Sequence, residues 1–133
     1  MSRREARDTA FKLIFEIPFH GCNYKDRIDF FIEHIDVELS ESDKEYVKKC
    51  VSVCFENLSD IDDKVTPLLN KWTLSRLPKV SLSILRLGVA EMIYFDEIPY
   101  QVSINEAVEL AKAYGDDDAP AFINGVLDKI AKQ

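Results

Sequence analysis

Residues 80–93 constrain the fold of this chain more than any other stretch, because they are apolar on nearly every side of a helix. A helix without a polar face is stable only when other elements cover it. No apolar run in the sequence reaches the roughly 18–20 residues that a membrane span requires. The stretch therefore predicts a buried central helix, around which the rest of a 133-residue chain must pack.

The starts of the surrounding helices are marked by polar clusters, whereas the period-two alternation of a strand is nowhere sustained. Two capping boxes, SRRE at residues 2–5 and SINE at residues 103–106, each predict a helix start. Polar clusters at residues 40–43, 59–62 and 117–120 predict three more, the last with acidic residues in its first turn.

Prolines and glycines predict where the helices end. Pro18 and Gly21 end the first helix, Pro67 kinks or restarts the fourth, and Gly115 ends the sixth. Gly125 lies in the middle of the last helix, where it costs about 1 kcal/mol relative to alanine. Its presence there suggests the close approach of another helix or of a ligand.

We therefore expect an all-α protein of about seven helices, which form one domain over residues 1–133. The helices divide into two small subdomains, an N-terminal half at about 1–60 and a C-terminal half at about 61–133. Neither half alone has much apolar core, so we expect both to fold as a single bundle.

Charge and cysteine content limit the class of function. The net charge is −7 and the sequence pI is about 4.8, which argues against indiscriminate nucleic-acid binding but allows a local basic patch. The N-terminus is charged where a signal peptide would be apolar, so we expect a cytoplasmic protein. Cys22, Cys50 and Cys54 fit free thiols in a reducing compartment, and the absence of a CxxC spacing makes a metal site the weaker alternative.

Signals for catalysis are sparse. The four glycines are isolated and form no phosphate-binding loop, and neither His20 nor His34 lies in a nucleophile or metal motif. The acidic residues 116–118 are explained by the start of a helix more simply than by a cation site. We expect no enzymatic activity, no cofactor and no metal.

Signals for interaction are stronger on the first helix. Arg4, Arg7, Phe11 and Phe15 form a stripe beside its apolar face. Arginines that bind phosphates and aromatic rings that stack on bases suit single-stranded nucleic acid. The alternative is that the two phenylalanines widen the core face and the arginines form a solvated end. The helix macrodipole disfavours cations at this end, which suggests another use for them.

Three further residues have a structural and a functional interpretation. Arg86 interrupts the most apolar helix, so it requires either an internal carboxylate or a phosphate or protein partner at the surface. Tyr114 and Phe122 flank the turn at residues 115–118, which can bring two aromatic rings together at one corner. Phe122 can equally be a core residue.

Together these stretches resemble the NusB family of bacterial transcription antitermination factors. The resemblance covers essentially the whole chain and is carried by RREAR at residues 3–7, ILRL at 84–87 and IPY at 98–100. Its most specific part is INEAVELAK at residues 104–112 with FINGVLD at 122–128. The resemblance implies an all-helical fold that binds the single-stranded boxA element of ribosomal RNA leaders. It also implies action with the ribosomal protein NusE in an antitermination complex on RNA polymerase.

The resemblance assigns RNA contacts to the basic arm, the central helix and the corner near residue 115. The matching residues are Arg3, Arg4, Arg7, Phe15, Arg86, Tyr114, Asp118 and Phe122. Glu5 and Asp8 dilute the arm, and Phe15 lacks the hydroxyl of the tyrosine found in many relatives. We therefore predict weak RNA binding by the isolated protein and a strong dependence on NusE.

Two other functions remain open at this point. One is the RNA-binding domain of a ribosomal RNA cytosine methyltransferase, of which this chain would be a fragment. The other is a protein–protein adaptor whose arginine arm binds an acidic partner. A homodimer that covers Phe11 and Phe15 is compatible with either, whereas contacts with a membrane or with DNA are not expected.

Overall fold

The computed structural model describes residues 3–20, 23–34, 38–69 and 73–133, and for His20 the backbone alone. These ranges contain no strand, so the expected all-α class is confirmed. The helices are α1 (Arg3–His20), α2 (Tyr24–His34), α3 (Glu41–Glu56), α4 (Leu58–Val65), α5 (Lys79–Tyr94), α6 (Tyr100–Tyr114) and α7 (Ala119–Ala131). Two short 3-10 turns, Thr66–Leu68 and Leu74–Arg76, lie between α4 and α5. None of the described helices is both long and apolar enough to cross a membrane.

Helix α5 is the centre of the bundle, as its sequence predicts. It packs against α1, α3, α4, α6 and α7, and 11 of its 16 residues are buried. Helix α1 packs on α3 and α5, and α6 packs on α7. A single hydrophobic cluster includes buried side chains from all seven helices. The division into two subdomains at about residue 60 stays a prediction.

The start of α3 confirms one predicted cap, but the start of α6 does not. The Ser40 hydroxyl accepts a hydrogen bond from the Asp43 amide at 3.1 Å, as an N-cap serine should. Helix α6 instead begins at Tyr100, directly after Pro99, so the predicted cap at Ser103 is wrong. Ser103 is buried inside the helix and uses its hydroxyl elsewhere. The capping box at residues 2–5 requires Ser2, which lies outside the described residues.

The helix breakers act in three different ways. Pro18 lies inside α1, which continues to His20, and Gly21 lies outside the described residues. Pro67 sits in the 3-10 turn that follows α4, which agrees with the predicted interruption. Gly115 ends α6 as expected, and a Cβ atom there would lie 2.7 Å from the Ala119 Cβ and 2.9 Å from the Ala111 carbonyl oxygen. No larger residue fits this turn without a shift of the backbone.

The close helix approach expected at Gly125 occurs at Gly88 instead. No described atom outside the local helix lies within 4 Å of a Cβ built on Gly125, so the prediction of a neighbouring helix there is wrong. A Cβ on Gly88 would lie 2.9 Å from the Leu127 Cδ1. Glycine at residue 88 therefore allows α5 and α7 to pack closely.

Two of the three cysteines lie in the core on α3. Cys50 and Cys54 are free and buried, which agrees with the expectation for them. Burial raises the pKa of both thiols, that of Cys54 to about 12, so neither forms a reactive thiolate at neutral pH. Cys22 lies outside the described residues. Within the described ranges no three potential metal ligands form a group.

Candidate RNA interface

Arg7, expected to contact RNA, is buried in a network of polar side chains between α1, α3, α5 and α6. Its Nη2 and Nε donate to the Glu91 carboxylate at 2.9 and 3.0 Å. The same carboxylate accepts hydrogen bonds from the Tyr46 hydroxyl at 2.5 Å and the Ser103 hydroxyl at 2.9 Å. Arg7 is only 7% exposed and Glu91 only 2%. We call these four residues the Arg7 network.

The electrostatics of this network keep its charges in place. Burial alone would lower the pKa of the Arg7 guanidinium, but the hydrogen bonds and charge of Glu91 outweigh it, so the pKa is raised. Burial, together with the neighbouring Cys50 and Glu91, also raises the pKa of the Tyr46 hydroxyl well above its usual value. Arg7 therefore remains protonated and paired, and it presents little surface to a ligand.

The two arginines that precede it are also paired, but closer to solvent. Arg3 Nε donates to the Asp43 carboxylate at 3.0 Å. Arg4 forms a two-pronged pair with Glu106, at 3.0 Å from Nε and 2.8 Å from Nη2. The hydrogen bond from Arg4 lowers the pKa of Glu106. The Arg4 side chain is 66% exposed, so it is the member of the arm that can most readily exchange its carboxylate for a phosphate.

Arg86 has the internal partner that its position in α5 requires. Its Nε and Nη2 donate to the two oxygens of Asp62 at 3.0 and 2.9 Å. The side chains of Arg86 and Asp62 are only 15% and 18% exposed. Of the two interpretations of this residue, the internal ion pair is the one observed, and any RNA contact by Arg86 would be made from within that pair.

Aromatic rings form a second surface feature of α1, beyond its paired cations. Phe11 is 4% exposed, so it widens the core face, whereas Phe15 is half-buried and Phe19 is 64% exposed. Adjacent ring centroids lie 5.0 Å apart from Tyr114 to Phe11, 6.2 Å from Phe11 to Phe15 and 5.4 Å from Phe15 to Phe19. We call these four rings the aromatic row. It extends from the end of α6 along α1.

Tyr114 is held in the aromatic row by its hydroxyl. The hydroxyl donates to the Asp8 carboxylate, which also binds Lys12 at 2.8 Å. The hydrogen bond to Asp8, followed by burial, raises the pKa of Tyr114. The Tyr114 ring stacks on Phe11 with an angle of 30° between the ring planes, and 41% of the residue is exposed. The structure thus fixes the ring against Phe11, with the Lys12 Nζ 5.9 Å from the ring centroid, and leaves part of the ring accessible.

The turn between α6 and α7 separates Tyr114 from Phe122 instead of stacking their rings. The Asp116 carboxylate accepts hydrogen bonds from the amides of Asp118 and Ala119, at 3.1 and 3.0 Å, and so caps α7. Asp118 is exposed and Phe122 is half-buried. The acidic residues of this turn therefore act at a helix start, as the sequence indicates. Within the described residues, Tyr114 pairs with Phe11 and not with Phe122.

The predicted site residues meet around the start of α5, where three consecutive residues border three separate cavities. Lys79 borders a groove of about 560 Å³, which also contains Arg86 and the edge of Phe15. Val80 borders a second cavity of about 360 Å³, between Phe15 and Tyr114. Ser81 borders a third of about 380 Å³, beside Asp118 and Phe122.

The arginine arm lies at the far side of Tyr114. Arg4 and Arg7 border a small cavity of about 220 Å³ together with Tyr114. Arg3 points to Asp43 and Ser42 on α3 and borders none of these cavities. The structure therefore brings Phe15, Tyr114, Asp118 and Phe122 around one helix end, and it leaves Arg3 apart.

Sequence reasoning missed two residues at this surface. Phe19 follows Phe15 by four residues, as Phe15 follows Phe11, so the helical spacing alone could have identified it. Lys79 is exposed and forms no ion pair with any described residue, whereas every arginine of the arm is paired. Its position directly after Pro78, at the start of the most apolar helix, could have identified it in the sequence.

Fold and surface together define a class: small all-helical proteins with an aromatic surface suited to single-stranded nucleic acid. The NusB family model matches residues 4–132, and the chain belongs to this family. The transcription antitermination protein NusB of Ruminiclostridium cellulolyticum is 40% identical over 132 residues, which are 99% of this chain and 90% of that protein. The relatives that match this chain over 99% of its length are transcription antitermination proteins, so the expectation that the chain is not an enzyme is confirmed.

Two solved structures share the whole fold. The structure of T. maritima NusB has 36% sequence identity and a TM-score of 0.90, and the match covers 100% of this chain and 92% of that one. A crystal structure of the antitermination factors NusB and NusE in complex with dsRNA matches with 31% identity and a TM-score of 0.85. This second match covers 99% of this chain and 98% of that one.

Proposed function

We propose that this protein is a transcription antitermination factor that binds the single-stranded boxA segment of ribosomal RNA leaders together with ribosomal protein NusE. The complex would then act on RNA polymerase in the cytoplasm. The observation that carries the proposal is the partly exposed ring of Tyr114, stacked on Phe11, in a chain that matches NusB proteins from end to end.

The chemistry of this surface favours unpaired bases. Aromatic rings stack on bases that a duplex would bury, and each such stack contributes roughly 1–3 kcal/mol. Tyr114 and Phe15 offer ring surface on one side of the start of α5, and Phe122 offers it on the other. The RNA would therefore pass across the start of α5, near Asp118.

Phosphate contacts would come from Arg4 in the first place. It is exposed and its partner Glu106 can be replaced by a phosphate, whereas Arg7 would support the site from the interior. Arg3 and Arg86 already hold carboxylates, so their contribution requires exchange of partners. Because the arginines of this surface are paired and the net charge is −7, RNA affinity without a partner should be low. Dependence on NusE follows.

The first test is binding of a short boxA RNA, with and without NusE, across a salt series. A scrambled RNA of equal length is the control. We expect sequence-dependent binding that NusE strengthens, with a salt slope that counts the phosphate contacts. Equal binding to both RNAs would contradict the proposal, as would tight boxA binding that NusE does not improve.

A pair of tyrosine variants tests the site itself. Tyr100 and Tyr114 lie at opposite ends of α6, about 21 Å apart along the helix, and are 51% and 41% exposed. We expect Y114A to weaken boxA binding roughly 5- to 150-fold, because one stack is lost, and Y100A to leave it unchanged. Equal effects of the two variants would show that boxA does not stack on Tyr114.

The alternatives from the sequence are not favoured. The match extends over 90% of the relative from R. cellulolyticum, which is itself an antitermination protein and not a methyltransferase. An adaptor without RNA binding leaves the fixed and exposed ring of Tyr114 unexplained. Self-association stays a prediction, although Phe11 no longer requires it, since α1 and Tyr114 already bury that ring.

A further inference from the structure

The groove beside Phe19 adjoins the site proposed for boxA and shares Phe15 and Arg86 with it. It lies between α1, α3 and α5, has a volume of about 560 Å³, and is bordered by Phe19, Phe55 and Leu82 on its apolar side. Lys79 and Arg86 lie at its polar side. Phe15 borders both this groove and the cavity next to Tyr114, so the two sites are continuous.

Phe19 has the features of a stacking residue and not of a core residue. It is 64% exposed, more than any other large apolar side chain among the described residues. Its ring contacts Phe15 on one side, with centroids 5.4 Å apart, and the rest of the ring is open. Leaving so much aromatic surface in water is unfavourable, since aromatic side chains contribute most when they are covered.

The charges around the groove indicate an anionic occupant. Lys79 is exposed and makes no ion pair within the described parts of the chain, and the Arg86 side chain, which holds Asp62, is 15% exposed. A base on an aromatic ring with its phosphate near a cation is the usual arrangement at single-stranded sites. A purely apolar helix from a protein partner would leave Lys79 without a counter-charge.

We propose that this groove binds one or more nucleotides that flank boxA, with a base on Phe19 and a phosphate at Lys79. The proposal rests on the proposed function, because it extends the same RNA path beyond Phe15. It makes the flanking nucleotides part of the recognised segment. The ring of Phe19 contributes affinity with little sequence preference, since every base offers a stacking face.

The test compares five RNAs in the presence of NusE, by fluorescence anisotropy. They are boxA alone, boxA extended by three adenosines at one end or the other, and the same extensions made of abasic nucleotides. For one end we expect the adenosines to tighten binding roughly fivefold or more. The abasic extension should give a smaller gain, because it keeps the phosphates and loses the bases.

Variants then assign the gain to residues. F19A should abolish the gain from adenosines without weakening binding of boxA alone, and F19W should restore it. K79Q should lower the salt slope for the extended RNA by about 0.7. The matched control is K129Q, which removes another exposed lysine. Lys129 lies about 15 Å along α7 from Ala119, where that helix begins.

Three results would overturn the inference. Extended and short RNAs that bind equally well would exclude the subsite and leave the boxA site intact. An F19A variant that weakens both RNAs equally would make Phe19 a support for Phe15. A change in NusE affinity or in sedimentation of the protein caused by F19A would assign the groove to a protein contact. If the wild type fails to distinguish boxA from scrambled RNA, the proposed function fails first and the subsite with it.

Discussion

At its N-terminal end, α1 carries Arg3, Arg4 and Arg7, each bound to a carboxylate of another helix. Further along the same helix, Phe15 is half-buried and Phe19 is exposed. The basic end thus has its partners inside the protein, and the aromatic end faces solvent. In α1, therefore, the arginines connect the helix to its neighbours, whereas the exposed aromatic rings form the surface that is free to bind a ligand.

The largest effect should come from breaking the Arg7 network. E91Q would remove the main partner of the buried Arg7 guanidinium and leave only Glu106, 3.7 Å from Nη1, as its counter-charge. Breaking a buried ion pair in this way typically costs about 3–5 kcal/mol. We expect the free energy of unfolding, measured in urea, to fall by that amount. E109Q makes the same change at a half-exposed position paired with Lys112 and should cost less than about 1 kcal/mol.

A second variant separates lost charge from altered packing. R7M/E91Q also removes the cation that has lost its main partner, while the glutamine can still accept hydrogen bonds from Tyr46 and Ser103. It should therefore be more stable than E91Q alone. If E91Q were no more harmful than E109Q, Arg7 would have to reach water, and the contrast between the two ends of α1 would be lost.

The next prediction tests whether Arg4 is held back from RNA by its own carboxylate. E106Q should release Arg4 and tighten binding of boxA RNA by roughly 1 kcal/mol, or about fivefold. The salt slope should steepen by about 0.7 for one added phosphate contact. E109Q is again the control, because it removes a nearby negative charge that holds no arginine. An equal gain from both variants would show that the tighter binding comes from the change in net charge and not from the release of Arg4.

The same ion pair makes stability depend on pH. The hydrogen bond from Arg4 lowers the pKa of Glu106 below its ordinary value of 4.5. Its contribution is therefore complete above that value and is lost as the pH falls through the lower pKa of the folded protein. We expect the free energy of unfolding to decrease below about pH 4.5, and to decrease less steeply in E106Q. Parallel curves for the two proteins would show that Arg4 and Glu106 are not coupled in solution.

The order of the helices could be predicted from the sequence, because helical periodicity and capping are local. The partners of the charged side chains could not. Arg4 binds Glu106, 102 positions away, and Arg7 binds Glu91, 84 positions away. The local sequence around each arginine does not indicate such distant contacts. The cap predicted at Ser103 failed for the same reason, since Glu91 of another helix binds the hydroxyl. The aromatic residues were easier to identify, because helical spacing alone placed Phe11 and Phe15 together.

The contrast between buried and open positions also applies to two glycines, with the smallest expected effect. A Cβ on Gly125 would meet no described neighbour, so G125A should stabilise the protein by about 0.5–1 kcal/mol through helix propensity. G88A is the matched variant, and its Cβ would collide with Leu127, so it should not stabilise the protein. Thermal unfolding distinguishes the two. If G125A is more stable yet binds boxA RNA or NusE less well, the open face at residue 125 is a ligand contact. The close approach that the sequence suggests at Gly125 would then be made by a binding partner and not by another helix of the protein.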